Sequence, residues 1–101
     1  MVFKIVWSSN ALKSYFANVK YLEKDWTQRE VKKFVDTVQR TLSILSLQPR
    51  IGKPIRNKYN VRRTVVHKRV ILVYRLKPRK KEIELVLFTN TYQKPVRFLV
   101  K

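Results

Sequence analysis

One short stretch of the chain holds Arg62, Arg63, His67, Lys68 and Arg69, the side-chain types that phosphate chemistry uses, and Tyr92 stands downstream with an aromatic hydroxyl. Cleaving RNA through its 2′-hydroxyl needs a general base, cations that stabilise a phosphorane-like transition state, and an acid for the leaving oxygen. His67, the only histidine, could be that base, because an unperturbed imidazole titrates near neutrality. Tyr92 could be a stacking platform or the acid, and Arg62, Lys68 and Arg69 could grip the phosphate. On a strand, Arg62 and Thr64 share one face while Arg63 and Val65 take the other. The plainer reading makes His67 a turn residue at a strand end and Tyr74 a core or edge aromatic.

Other chemistries find less to work with. There is no cysteine, which excludes thiol catalysis, disulfides and Cys-ligated metal sites, and a single histidine argues against zinc. No carboxylate pair suited to hydrolysis, no glycine-rich phosphate loop and no metal-ligand cluster is visible, so no cofactor is implied. Glu82 and Glu84 lie two apart and share a strand face, where they are cross-strand partners for basic neighbours such as Arg75.

Charge points to an anionic partner. From Thr37 to Lys81 the chain runs 45 residues without Asp or Glu and carries fourteen Lys and Arg, within a formal charge of +18 for 101 residues. Such a one-sided stretch repels itself, so it is expected to meet nucleic acid or an acidic protein. Arg62, Arg63 and Arg75 are the candidates for bidentate pairing with a carboxylate-rich segment, and Lys77, Arg79, Lys80 and Lys81 form either a solvated turn or a further contact. Exposed ion pairs contribute only about 0.2–1 kcal/mol each, so apolar anchors are needed too, and Tyr21 and Trp26 are candidates. With 45% hydrophobic and 12% aromatic residues, the charge sits on one folded domain, residues 1–101, rather than on a disordered tail. The apolar segment Val2–Trp7 contains Lys4 and is too short for a signal-peptide core or a membrane span, which makes a cytoplasmic protein the default.

The elements that must position these groups follow from periodicity. Phe3, Ile5 and Trp7 alternate with Val2, Lys4 and Val6 as a strand does. Ser8, Ser9 and Asn10 offer N-caps to a helix over about Ser9–Glu23, in which Leu12, Tyr15, Phe16, Val19 and Leu22 recur at helical spacing. Thr27 and Glu30 form a capping box for a second helix with the stripe Val31, Phe34, Val35, Val38, Leu42 and Leu45, which must stop before Pro49. Pro49 to Asn60, with Gly52, Pro54 and Asn57, reads as a loop long enough to be functional. Strands are expected at about Val61–His67, Arg69–Leu76 and Glu82–Phe88, the middle one apolar enough to be covered on both faces. The predicted class is α+β, in the order β-α-α-β-β-β, with a helix hairpin packed on one face of a small antiparallel sheet.

This order, the phrase Val6-Trp7-Ser8 before the first helix, the stretch Arg69-Val70-Ile71-Leu72-Val73-Tyr74-Arg75-Leu76, and Ile83–Phe88 leading into Thr89-Asn90-Thr91-Tyr92-Gln93-Lys94-Pro95 together resemble the RelE/ParE superfamily of bacterial toxins from type II toxin–antitoxin systems. The valine-tyrosine-arginine at the end of the central strand looks like the ParE-type branch. The resemblance implies growth arrest, plasmid stabilization and a cognate acidic antitoxin. It also implies an essential target, which is DNA gyrase in one branch and the ribosome with its mRNA in the other, and contact with operator DNA only through the antitoxin. Ribosome-dependent nucleases of this superfamily carry alternating basic residues on the second strand, where this chain has Arg62 and then Thr64. They carry an arginine on the third strand, where Ile71 falls, and another at the end of the fourth, where Tyr92 and Gln93 stand. The tail Val96–Lys101 lacks their Tyr or His. These departures favour a ParE-like, non-hydrolytic toxin. The alternative is a ribosome-dependent mRNA endoribonuclease using Arg62, Arg63, His67, Arg69 and Tyr92, and charge alone would also suit a passive nucleic-acid-binding module.

Overall fold

The computed structural model describes residues 2–25, 27–67 and 70–90. In chain order it holds β1 (Lys4–Trp7), α1 (Ser9–Asp25), α2 (Gln28–Leu47), β2 (Lys53–Pro54), β3 (Val61–His67), β4 (Val70–Lys77) and β5 (Glu82–Asn90). The expected elements occur in the expected order, and two-residue β2 adds a strand inside the 49–60 loop. Trp26, Lys68, Arg69 and everything from Thr91 on, Tyr92 included, lie outside the described residues.

Each helix begins where a side chain meets its free amides. Ser8 Oγ accepts from the Ala11 N–H at 3.0 Å. Thr27, in extended conformation, accepts from the Glu30 N–H at 3.3 Å. Such caps contribute about 1 kcal/mol. At the far end of α2 the Gln48 N–H closes on the Ile44 carbonyl, and Pro49 follows.

The five strands form one sheet in the order β1-β5-β4-β3-β2. The pairs β2–β3, β3–β4 and β4–β5 are antiparallel. β1 instead runs parallel to β5, Lys4 to Trp7 beside Glu82 to Leu85, so the sheet is mixed where the sequence suggested antiparallel pairing throughout. Alternation of apolar and polar residues is the same for either strand direction, and the α1–α2 hairpin decides it by carrying the chain away from β1 and back.

The helix hairpin covers one face. Phe34, Val38, Leu42 and Leu45 of α2, with Ala11 of α1, pack against Val66, Val70, Leu72, Tyr74, Leu76, Ile83, Leu85 and Phe88. Burying each large apolar side chain contributes about 1.5–3 kcal/mol relative to exposure. Aromatic rings join the layers: Trp7 stacks on Phe88 at 5.6 Å between centroids, and Tyr15 meets both edge-on at 5.4 Å. On the opposite face, Ile55 from the long loop and Val61 close over Val73, with Val86 and Leu87 alongside. That second, smaller core is why β4 has hardly a polar break. A register shift between Val73 and Tyr74, where Val73 pairs Leu87 but Tyr74 pairs Leu85, lets β5 carry one extra residue.

Because β1 spans only the first half of β5, the second half of that edge needs other partners, and α1 supplies them. Ser8 donates to the Val86 carbonyl at 3.1 Å, Ser14 Oγ accepts from the Phe88 N–H at 2.8 Å, and buried Asn18 donates to the Phe88 carbonyl at 3.3 Å. Buried backbone groups must be paired, so these three side chains take the place of a missing strand.

Candidate partner-binding surface

The loop after α2 is held by two side chains from the sheet. Tyr74, fully buried, donates its hydroxyl proton to the Pro49 carbonyl at 2.9 Å and accepts from the Gly52 N–H at 3.0 Å. Arg62 points the same way and donates Nη1 to the carbonyls of Gly52 at 2.7 Å and Arg50 at 3.1 Å. Burial pushes the Tyr74 hydroxyl above the ordinary tyrosine value of 10.0, while the Gly52 N–H and the Arg62 charge pull it partly back. The approach is close enough to require glycine: a Cβ at position 52 would lie 2.5 Å from Tyr74 Oη and 2.7 Å from the Arg63 carbonyl oxygen.

The latched loop and β3 enclose a groove of about 340 Å³ lined by Ile51, Gly52, Lys53, Arg63, Thr64, Val65 and Ile71. Its floor is apolar, with Ile51 56% and Val65 62% exposed, and Lys53 and Arg63 stand opposite each other in register at its rim. β2 pairs only with Arg62 and Arg63, so among the described residues no strand covers the outer edge of β3 beyond Arg63. The arrangement combines apolar anchors, two cations and an open backbone edge.

The structure separates the sequence candidates. Arg62, paired with Tyr74, lies on the helix side of the sheet, and Arg63, paired with Val73, lies on the other; they do not form one docking pair. Arg75 shares the Arg63 face, but its guanidinium and the Lys77 ammonium both turn to Glu84, at 3.6 and 3.7 Å. Arg79, Lys80 and Lys81 stand exposed in the β4–β5 turn. Tyr21 packs against the main core.

Of the phosphate-chemistry residues, Arg62, Arg63 and His67 are described, and they do not converge: Arg63 lies on the opposite sheet face from Arg62. Five residues of strand separate Arg62 from His67 by roughly 16 Å, and a bulge between Val65 and His67 goes with the His67 ring lying edge-on to Phe34, 5.8 Å between centroids. Its Nε2 is buried.

Ile51, Val65 and Ile71 were not singled out from the sequence. The available signal was Val65 sharing a strand face with Arg63, beside a loop too long for a simple connector.

Residues 5–90 match the profile of the ParE toxin of the type II toxin–antitoxin system, parDE. No curated protein matches in sequence. Among solved structures, the chain is similar to one from the chromosomal ParDE toxin–antitoxin system of P. aeruginosa, with a TM-score of 0.70 at 15% identity over 88% of this chain and 96% of that one. It is also similar to a mutant of the E. coli toxin RelE in the free state, 0.66 at 14% over 99% and 95%. A third is a chain of the toxin–antitoxin complex RelBE2 from Mycobacterium tuberculosis, 0.62 at 17% over 89% and 99%. At these identities the structural likeness speaks for the fold.

Proposed function

The chain belongs to the ParE toxin family of type II toxin–antitoxin systems, and on that premise we propose that it arrests growth by binding an essential target without hydrolysing it, with DNA gyrase the first target to test. The separation of Arg62 from His67 carries this reading over the nuclease alternative. A phosphodiester spans a few ångströms, and a base and a cation must both reach it within hydrogen-bond distance. Here Arg62 is committed to two loop carbonyls and the imidazole ring packs against Phe34. Action on gyrase would place the protein in the cytoplasm, and among the described residues no helix is long and apolar enough to cross a membrane.

The neutralising antitoxin, in this reading, lays an acidic, partly apolar segment into the groove of Ile51, Lys53, Arg63, Val65 and Ile71. Its carboxylates meet Lys53 and Arg63, its apolar side chains cover Val65 and Ile51, and its backbone has the open β3 edge available. Lys53→Glu with Arg63→Glu is expected to weaken the complex tenfold or more, because two attractions become two repulsions, with the fold retained. Unchanged affinity in isothermal titration would remove the groove from the antitoxin interface.

Two assays separate the targets. Inhibited supercoiling, or cleaved DNA that appears only when gyrase is present, supports the proposal. Ribosome-dependent, codon-positioned breaks in a defined mRNA during reconstituted translation would establish the nuclease instead.

A further inference from the structure

Tyr59 is 90% exposed, the most exposed of the large hydrophobic side chains described, and it does not belong to either core cluster. It stands on a pinned loop rather than a loose one. The Ile55 N–H bonds the Val61 carbonyl at 2.9 Å, the Lys58 N–H bonds the Ile55 carbonyl at 3.1 Å, and the Leu76 N–H reaches the Asn60 carbonyl at 2.8 Å. Asn57 and Asn60 flank the tip with φ of 64° and 59°, left-handed conformations that asparagine adopts more readily than other side-chain-bearing residues. The ring is therefore held out into solvent by a loop tied to the end of β4.

The β4–β5 turn closes the other side. Lys80 and Lys81 N–H groups return to the carbonyls of Lys77 and Pro78, fixing the turn. Between loop and turn runs a groove of about 530 Å³ lined by Tyr59, Asn60, Leu76, Lys77, Pro78, Arg79 and Lys80. Its lining has no carboxylate and three cations, of which Lys77 is paired with Glu84 and Arg79 and Lys80 stand exposed. Arg56 and Lys58, both exposed, add charge on the Tyr59 side.

We propose that this groove binds single-stranded nucleic acid, with Tyr59 stacking on an unpaired base and Arg79 and Lys80 contacting the flanking phosphates. Unpaired strands are bound by this combination, an aromatic platform beside a cationic track, because every base has a stacking face and every linkage a charge. An acidic peptide would use the cations but has no need of a solvent-facing ring. A duplex keeps its bases stacked on each other and offers the ring nothing. The inference goes beyond the toxin reading and does not rest on it: the groove lies at the opposite end of β3 from His67 and is distinct from the one assigned to the antitoxin.

The test is fluorescence anisotropy of a fluorescein-labelled twelve-nucleotide thymidine strand titrated with the purified chain at several salt concentrations. Saturable binding is expected, weakened about 5- to 150-fold by Tyr59→Ala, the worth of one stacked base, and retained by Tyr59→Trp. Arg79→Glu with Lys80→Glu is expected to reduce the slope of log affinity against log salt by about 1.4, or about 0.7 for each phosphate no longer neutralised. Tyr59 is exposed, so circular dichroism of its variants should match the parent. Absence of saturable binding would overturn the proposal. So would an affinity unchanged by Tyr59→Ala, equal competition by a twelve-residue polyglutamate, or equally tight, Tyr59-dependent binding of a duplex.

Discussion

Tyr74→Phe removes one oxygen atom and tests how the partner groove is held open. The lost hydroxyl serves two backbone groups, the Gly52 N–H at 3.0 Å and the Pro49 carbonyl at 2.9 Å. Gly52 is buried, so its orphaned N–H costs about 1–3 kcal/mol. Pro49 is only half-buried, and its carbonyl can take a water, which limits the second loss to about 0.5–1 kcal/mol. Almost no volume is lost, so no cavity cost adds to these. The sum is about 1.5–4 kcal/mol, against a total stability of roughly 5–15 kcal/mol for a chain of this length. With a urea dependence of about 1.5 kcal/mol per molar, the unfolding midpoint should fall by roughly 1–3 M, the slope unchanged. Chemical denaturation followed by tryptophan fluorescence reads this directly. A midpoint within about 0.3 M of the parent would mean that the loop finds equivalent partners without Tyr74, and the latch argument would be wrong.

Two further outcomes rest on the same groups. Gly52→Ala should destabilise by about 2 kcal/mol or more, as overpacking against backbone does, because the new Cβ meets the Arg63 carbonyl at 2.7 Å as well as Tyr74 Oη at 2.5 Å; the same denaturation series checks it, and a neutral result would show that the loop can retreat. Burial raises the hydroxyl pKa of both Tyr74 and Tyr15 above 10.0, so the unfolded chain releases these protons first as pH rises. Their contribution to stability is then fully present below about pH 10 and lost as pH rises through the folded values, and denaturation midpoints across that range should fall less steeply in Tyr74→Phe than in the parent.

The second helix shows what was legible in the sequence. Of its predicted stripe, Phe34, Val38, Leu42 and Leu45 are buried and Val35 packs beside them, because helical period and a Thr27 cap are local properties. The covering of β4 on both faces was likewise written in its unbroken apolar run. The parallel pairing of β1 with β5 was not, since it depends on where a distant hairpin returns the chain. β2 was hidden by its two-residue length and by Pro54, a residue that propensity places outside strands. Ser14 and Asn18 read as ordinary polar helix residues; their role as partners for the bare half of β5 exists only once α1 lies across that edge.

Nowhere does position override residue type more plainly than at the adjacent arginines of β3. Residue type alone assigns Arg62 and Arg63 the same task, that of pairing with an anion. Strand geometry turns them to opposite faces, and what each then meets decides its use. On the helix side Arg62 finds the carbonyls of a loop already tied down by Tyr74, and each hydrogen bond from its charged guanidinium to them is stronger than a neutral one. On the other side Arg63 finds Lys53 across the strand and Val65 along it, so its charge remains available to a partner and is raised by its neighbour's. The positive face of this toxin is therefore smaller than its composition suggests. One arginine stabilises the wall of the groove and two more cations are held by Glu84, while the Lys53–Arg63 rim, Arg56, Lys58 and the β4–β5 turn keep exposed charge for a partner.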